Sequence, residues 1–118
     1  YGDWDRYSDR EIDVPPGSCI LARRDQLRLD EDLLLYFPED DLGQRTPPPR
    51  FYFLADVHIV HREKSATNNW NGTRLYFRDL IVYTRKHHGA ARAALLWLLS
   101  RPLYIALWLK RIQWSAIR

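Results

Sequence analysis

The chain has no methionine, a single cysteine and no apolar run of the length a bilayer demands, and each shortage narrows what it can be. The absence of methionine points to a fragment or a processed chain rather than an intact primary translation product. Cys19 stands alone, which excludes an internal disulfide framework and any cysteine-based zinc site, and suits a reducing, cytoplasmic setting. The first residues alternate acids and bases with no apolar stretch behind them, so no signal peptide is visible. There are no internal repeats, and the only low-complexity stretch is a run of prolines. At 118 residues, one domain is the ceiling.

Acidic residues are scarce in the second half of the chain. Residues 1 to 60 carry 7 basic and 13 acidic side chains, whereas residues 61 to 118 carry 11 and 2. The overall charge of +3 therefore conceals an acidic half and a strongly basic one. Such a division suggests a basic face for phosphates or an anionic membrane, and an acidic region suited to a metal or an acid/base group. Two solvated faces without a partner would look the same on charge alone.

Residues 1 to 13 are polar and read as an irregular arm, ended by Pro15-Pro16-Gly17. Ser18 to Ala22 is a short apolar run that suits a buried strand. Asp25 to Phe37 reads as short helical turns around a loop. Pro38 followed by Glu39, Asp40 and Asp41 is a helix-opening pattern, because proline suits the first helical position and negative charge suits the amino-terminal dipole. That predicts a helix over about Glu39 to Arg45, broken by Thr46-Pro47-Pro48-Pro49. Arg50 to His61 reads as extended with an interruption at Ala55-Asp56, and Glu63 to Gly72 as a polar loop.

From Thr73 the apolar residues recur at helical spacing, with Asn71 or Thr73 as the cap and Gly89 as the stop. Ser100-Arg101-Pro102 then divides the apolar tail into Ala93 to Leu99 and Leu103 to Leu109. Each run is far short of the roughly 20 residues that span a bilayer. Flanking bases and tryptophans favour helices lying on a membrane surface or packed on the rest of the protein. The chain thus divides into the arm at 1–13, an α/β segment at 14–65 and a basic, apolar helical tail at 73–114.

One arrangement looks chemical. An acidic cluster, Glu39-Asp40-Asp41, is followed some twenty residues later by an extended segment ending in His61. A carboxylate near a loop takes a proton from an attacking hydroxyl when it lies within hydrogen-bonding reach. A neutral histidine at a strand end binds a divalent metal when carboxylates complete the shell. A helix cap and an ordinary structural histidine would have the same residue types.

The order of residues along the chain resembles family 2 glycosyltransferases, in particular the rhamnosyltransferase-like group. Val14-Pro15-Pro16-Gly17-Ser18-Cys19-Ile20-Leu21-Ala22-Arg23-Arg24 is similar to the family's Val-x-Gly-(Ala/Ser)-(Cys/Ala)-hydrophobic-Leu-x-Arg-Arg. Asp30-Glu31 resembles Phe-Asp-Glu, and Leu35-Tyr36-Phe37 resembles Leu-Tyr-Phe. Glu39-Asp40-Asp41-Leu42-Gly43-Gln44-Arg45 looks like Glu-Asp-x-Asp-Leu-x-x-Arg. Ala55 to His61 resembles the strand end Ala-x-Val-x-His, and Tyr83 to Gly89 the helix end Tyr-x-(Arg/Lys)-Lys-His-x-Gly. The pieces occur in the family's order over about Asp13 to Leu109.

The resemblance implies the carboxy-terminal, acceptor-side part of a GT-A-type α/β fold: short strands followed by two or three helices, with the nucleotide-binding half missing. It implies an inverting transfer from a nucleotide-sugar donor to a glycan or polyprenyl-phosphate-linked acceptor, in cell-wall or polysaccharide biosynthesis, with the isolated chain inactive. Asp40 is the first choice for general base. Because Asp40 and Asp41 are adjacent where the family spaces its aspartates by one residue, alignment on Asp41 makes Glu39 the base instead, and both alignments stay open. The resemblance further implies His61 at a divalent metal (Mg or Mn) or the diphosphate, with Arg45, Arg85, Lys86 and His87 as acceptor or phosphate contacts. It implies a cytoplasmic protein with peripheral contact at the inner face of the membrane and no nucleic-acid partner. With half a sheet missing, the chain is expected to form a homo-oligomer. The competing reading is a small non-catalytic protein, rich in arginine and aromatic residues, that serves as an assembly subunit or binds nucleic acid or a membrane surface.

Overall fold

Proline at the first helical position has its φ already set and gives up only an N–H that would be unpaired anyway. In the computed structural model, which describes residues 7–47, 51–60 and 70–116, helix α1 accordingly starts at that residue and spans Pro38–Arg45. Its amino-terminal turn holds Glu39, Asp40 and Asp41, and Arg45 lies in its last turn, each sign where the helix dipole favours it. Thr46 ends it: the backbone N–H donates to the Leu42 carbonyl at 3.0 Å and the hydroxyl to the same oxygen at 2.7 Å.

The chain divides into two compact units, Tyr1–Glu31 with Phe37–Glu63, and Asp32–Tyr36 with Lys64–Arg118. In the first, strands β1 (Arg10–Ile12) and β2 (Phe51–Phe53) form a two-stranded antiparallel ladder in which Arg10 faces Phe53 and Ile12 faces Phe51. The Asp9 side chain extends this join by accepting from the Ala55 N–H at 2.7 Å. β1 therefore lies in what reads from the sequence as an irregular arm. The strand expected over Ser18 to Ala22 does not form. Pro16 and Gly17 turn the chain there, Cys19 donates to the Pro16 carbonyl at 3.3 Å, and Leu21 is 98% exposed. With no described strand beside it, this run has no ladder to join.

The second unit is a helical hairpin, α2 (Trp70–His88) and α3 (Ala90–Ala116), joined at Gly89. Gly89 has φ 90°, a left-handed conformation that costs glycine little, and it stops α2 as its sequence position predicts. α2 is described from Trp70 onward, and Asn71 and Thr73 both lie inside it rather than capping it. α3 runs back beside α2, with Tyr104 packed edge-on against Phe77 at 5.5 Å and tilted against Trp70 at 5.2 Å. The break expected at Ser100-Arg101-Pro102 is absent, and Pro102 sits inside one 27-residue helix. An interior proline costs roughly 3 kcal/mol, but the flanking alanines and leucines are the strongest helix formers and carry the helix through it. As one helix, the stretch Ala90–Ile112 is by length and composition apolar enough to cross a membrane, which neither half alone would be.

Candidate functional site

The acidic turn of α1 is entered through an unusual bend. Phe37, the residue before the helix, adopts φ 68° and ψ 7°, the only left-handed non-glycine conformation among the described residues. A bulky residue there costs about 1–3 kcal/mol and persists only where the surroundings require it. No side chain caps the helix, but the Asp41 N–H closes the first turn onto the Phe37 carbonyl at 2.9 Å.

The three acids of that turn are not equivalent. Asp41 is fully buried, and its carboxylate accepts from the Arg45 Nε at 2.7 Å, one helical turn on. Arg45 also donates to the Arg28 carbonyl, so this i,i+4 pair ties α1 to the loop before it. Glu39 and Asp40 are half-buried, and neither has a hydrogen-bond partner among the described residues. Gly17 lies directly on the Glu39 carboxyl group: a Cβ at that glycine would come within 2.7 Å of the Glu39 carboxyl carbon. One helical turn further along the same face, Gly43 meets the Asp13 carbonyl, where a Cβ would sit at 2.6 Å. Two glycines thus let the segment around Asp13–Ser18 close onto α1, and one of them holds the backbone against Glu39.

The sequence-predicted residues separate accordingly. Glu39, Asp40, Asp41 and Arg45 share one helix of the first unit. Arg85, Lys86 and His87 belong to the second, in the last turn of α2, where positive charge complements the helix dipole. His87 stacks obliquely on Tyr83 at 4.7 Å, while Arg85 and Lys86 are exposed. His61 lies outside the described residues. Among the described residues, no three His, Cys, Asp or Glu side chains come together as a metal shell.

Sequence reasoning missed Asp79. It is fully buried in the second unit, where one carboxylate oxygen accepts from the backbone N–H groups of Leu35 and Tyr36, both at 2.9 Å. The other accepts from Arg78 at 2.7 Å, and Arg78 also donates to the Asp32 carbonyl at 2.8 Å. Burial by itself would push this carboxyl up; the hydrogen bonds from Tyr36, Leu35, Arg78 and Leu34 outweigh it and hold the group below its ordinary value. The sequence signal was there, since Asp79 is one of only two acids after residue 60. A lone acid among many bases on an apolar helix is a candidate for structural anchoring.

The cavity of the helical unit was not foreseen either. It is an open cavity of about 510 Å³ between α2 and α3, and Arg74, Arg78, Arg101, Asn71, Ser100 and Tyr104 are on its walls. Comparison with family models, curated proteins and solved structures finds no match to this chain.

Proposed function

We propose that this chain is the acceptor-side part of an inverting, GT-A-type glycosyltransferase and that Glu39 is its general base. One observation carries the reading: Gly17 and Glu39, from two separate stretches that resemble the family, lie against each other, with the glycine leaving room for the carboxylate. The burial of Asp41 and its pairing with Arg45 support aligning these two on the Asp-Leu-x-x-Arg half of the motif. Counting back two residues reaches Glu39, not Asp40. Asp41 is already engaged with Arg45, whereas Glu39 is partly accessible.

In this mechanism the acceptor hydroxyl oxygen attacks the anomeric carbon of the nucleotide sugar from the face opposite the diphosphate. The bond from that carbon to the diphosphate oxygen breaks as the new one forms, and the nucleoside diphosphate leaves with the bonding electrons. The hydroxyl proton passes to the Glu39 carboxylate, which must lie within about 3 Å of it.

The test is nucleoside diphosphate release by the protein joined to its nucleotide-binding half, with lipid-linked or free glycan acceptors. Glu39→Gln is expected to lower kcat by about 10²-fold or more with donor affinity kept, and Asp40→Asn to leave kcat within a few-fold. The reverse pattern would give the role of base to Asp40, and full activity in both variants would refute the reading.

A further inference from the structure

We propose that the α2–α3 hairpin is an in-plane membrane anchor for anionic lipid, with the lipid phosphate seated in the cavity between Arg74 and Arg101. The proposal is independent of the glycosyl-transfer reading and rests on the helical unit alone.

The side of α3 turned to α2 is occupied by Ala93, which is buried, and by Ser100 and Tyr104. Around the rest of the circumference, Leu95, Leu98, Leu99, Leu103, Ile105, Leu107, Leu109 and Ile112 are between 38% and 67% exposed. Water does not favour so large a continuous apolar surface, which marks an interaction site.

Charge identifies the partner. From Trp70 to Ala116 the hairpin carries eight arginines and lysines against one acid, Asp79, and that acid is committed to Arg78 and the backbone. Apolar surface combined with excess positive charge is the composition of a helix that binds anionic bilayers.

The cavity names the ligand group. Arg101 stacks over Trp97 at 4.0 Å, yet its Nε is buried with no hydrogen-bond partner among the described residues. A buried N–H without an acceptor calls for one, and here it belongs to a cation on a cavity wall. Arg74 on the facing helix is exposed and has no ion-pair partner among the described residues. A phosphate between the two would receive charge-assisted hydrogen bonds from both sides.

The hairpin geometry sets the orientation. α3 is long enough to cross a bilayer, but α2 lies beside it: Trp70 packs on Tyr104 and Arg111 sits over Trp70 at 5.6 Å. A crossing would carry Arg74, Arg78, Asp79 and Arg101 into hydrocarbon, where ionised groups are expensive. Lying flat, the hairpin puts the uncovered face of α3 among the acyl chains and keeps the arginine cavity at phosphate level. It also puts Trp97 and Trp108, 46% and 45% exposed, where aromatic rings favour the interface.

The test is flotation of the full chain with vesicles of phosphatidylcholine alone or with about one-third phosphatidylglycerol, combined with depth measurement. Binding is expected to the anionic vesicles only, and Arg74→Gln/Arg101→Gln should weaken it by roughly tenfold or more at unchanged helical content. Arg74→Gln alone, at an exposed position, should weaken it without disturbing the fold. In a Cys19→Ser background, spin labels on cysteines at Leu98 and Leu109 are about 16 Å apart along one face of the helix. They should report the same shallow depth. Depths differing by that distance would show a crossing helix and overturn the proposal. Equal binding to neutral vesicles, or binding insensitive to both arginine variants, would show apolar insertion without a phosphate site. Arginine-dependent binding of inorganic phosphate with no vesicle binding would make the site one for a soluble anion.

Discussion

Removing the Asp79 carboxylate should unfold the helical unit far more readily than its place on a mostly basic, apolar helix would suggest. Asp79→Ala leaves the N–H groups of Leu35 and Tyr36 without the acceptor that now holds them at 2.9 Å. Each donor fully buried and left unpaired would cost about 1–3 kcal/mol; these two are part-buried and water reaches them in part, so a loss of about 3 kcal/mol is expected. Asp79→Asn keeps one acceptor oxygen and the shape but not the charge, and should cost about 1–2 kcal/mol near neutral pH. The acid limb gives the sharper test. The folded carboxyl titrates below its ordinary value, so its stabilisation is fully present above the unfolded value of about 3.9 and is lost as pH falls through the lower folded value. The gap between wild type and Asp79→Asn should therefore shrink as the pH is taken from 6 to below 3. Urea denaturation followed by helical circular dichroism reads both quantities. A cost under about 0.5 kcal/mol for Asp79→Ala, or a gap to Asp79→Asn that does not change with pH, would refute the role assigned to this carboxylate.

Three other outcomes are expected. Gly43→Ala places a methyl group against the Asp13 carbonyl and should cost about 1–3 kcal/mol in thermal or urea denaturation, whereas Gly17→Ala meets only the mobile end of Glu39, so stability should hold while turnover falls. Pro102→Ala restores a hydrogen-bond donor inside α3 and should raise helical stability by up to about 3 kcal/mol, visible as a higher Tm. The exposed Tyr52, Leu54, Val57, Ile59 and Val60, in and after β2, together with α3, should drive the free chain into dimers or larger oligomers, and a monomer in detergent-free sedimentation equilibrium would count against this.

What could be read from the sequence was local chemistry. Pro38 with three acids behind it opens α1, and Gly89 ends α2, because each signal acts on its own turn of backbone. What could not be read depends on partners distant in sequence. β1 is only three residues long, two of them charged, and its ladder exists because Phe51–Phe53 lies beside it. Ser18 to Ala22 has the better strand composition but no such neighbour among the described residues. Asp79 finds its donors 43 and 44 residues earlier in the chain, and no local pattern announces them. Pro102 misled in the opposite sense, since a strong local breaker was overruled by an alanine- and leucine-rich helix that also packs on α2.

Burial separates the acids that read as chemistry from those that hold structure. Asp41 and Asp79 are the fully buried ones among the described residues, and both are committed, one to a side chain a helical turn away and the other to two backbone N–H groups and Arg78. Ionised carboxylates buried this completely are tolerated because those partners replace water, and for the same reason they have little capacity left to accept a substrate proton. Glu39 differs on both counts: it is half-buried and makes no hydrogen bond to a described residue. A general base must stay accessible and exchange its proton, so a residue bound this loosely suits the role better than its buried neighbour Asp41. Asp40 meets the same two conditions, and what separates it from Glu39 is Gly17, where the three atoms nearest an added Cβ all belong to the Glu39 carboxyl group. Gly17→Ala should therefore impair turnover in a protein whose base is Glu39 and spare it in one whose base is Asp40.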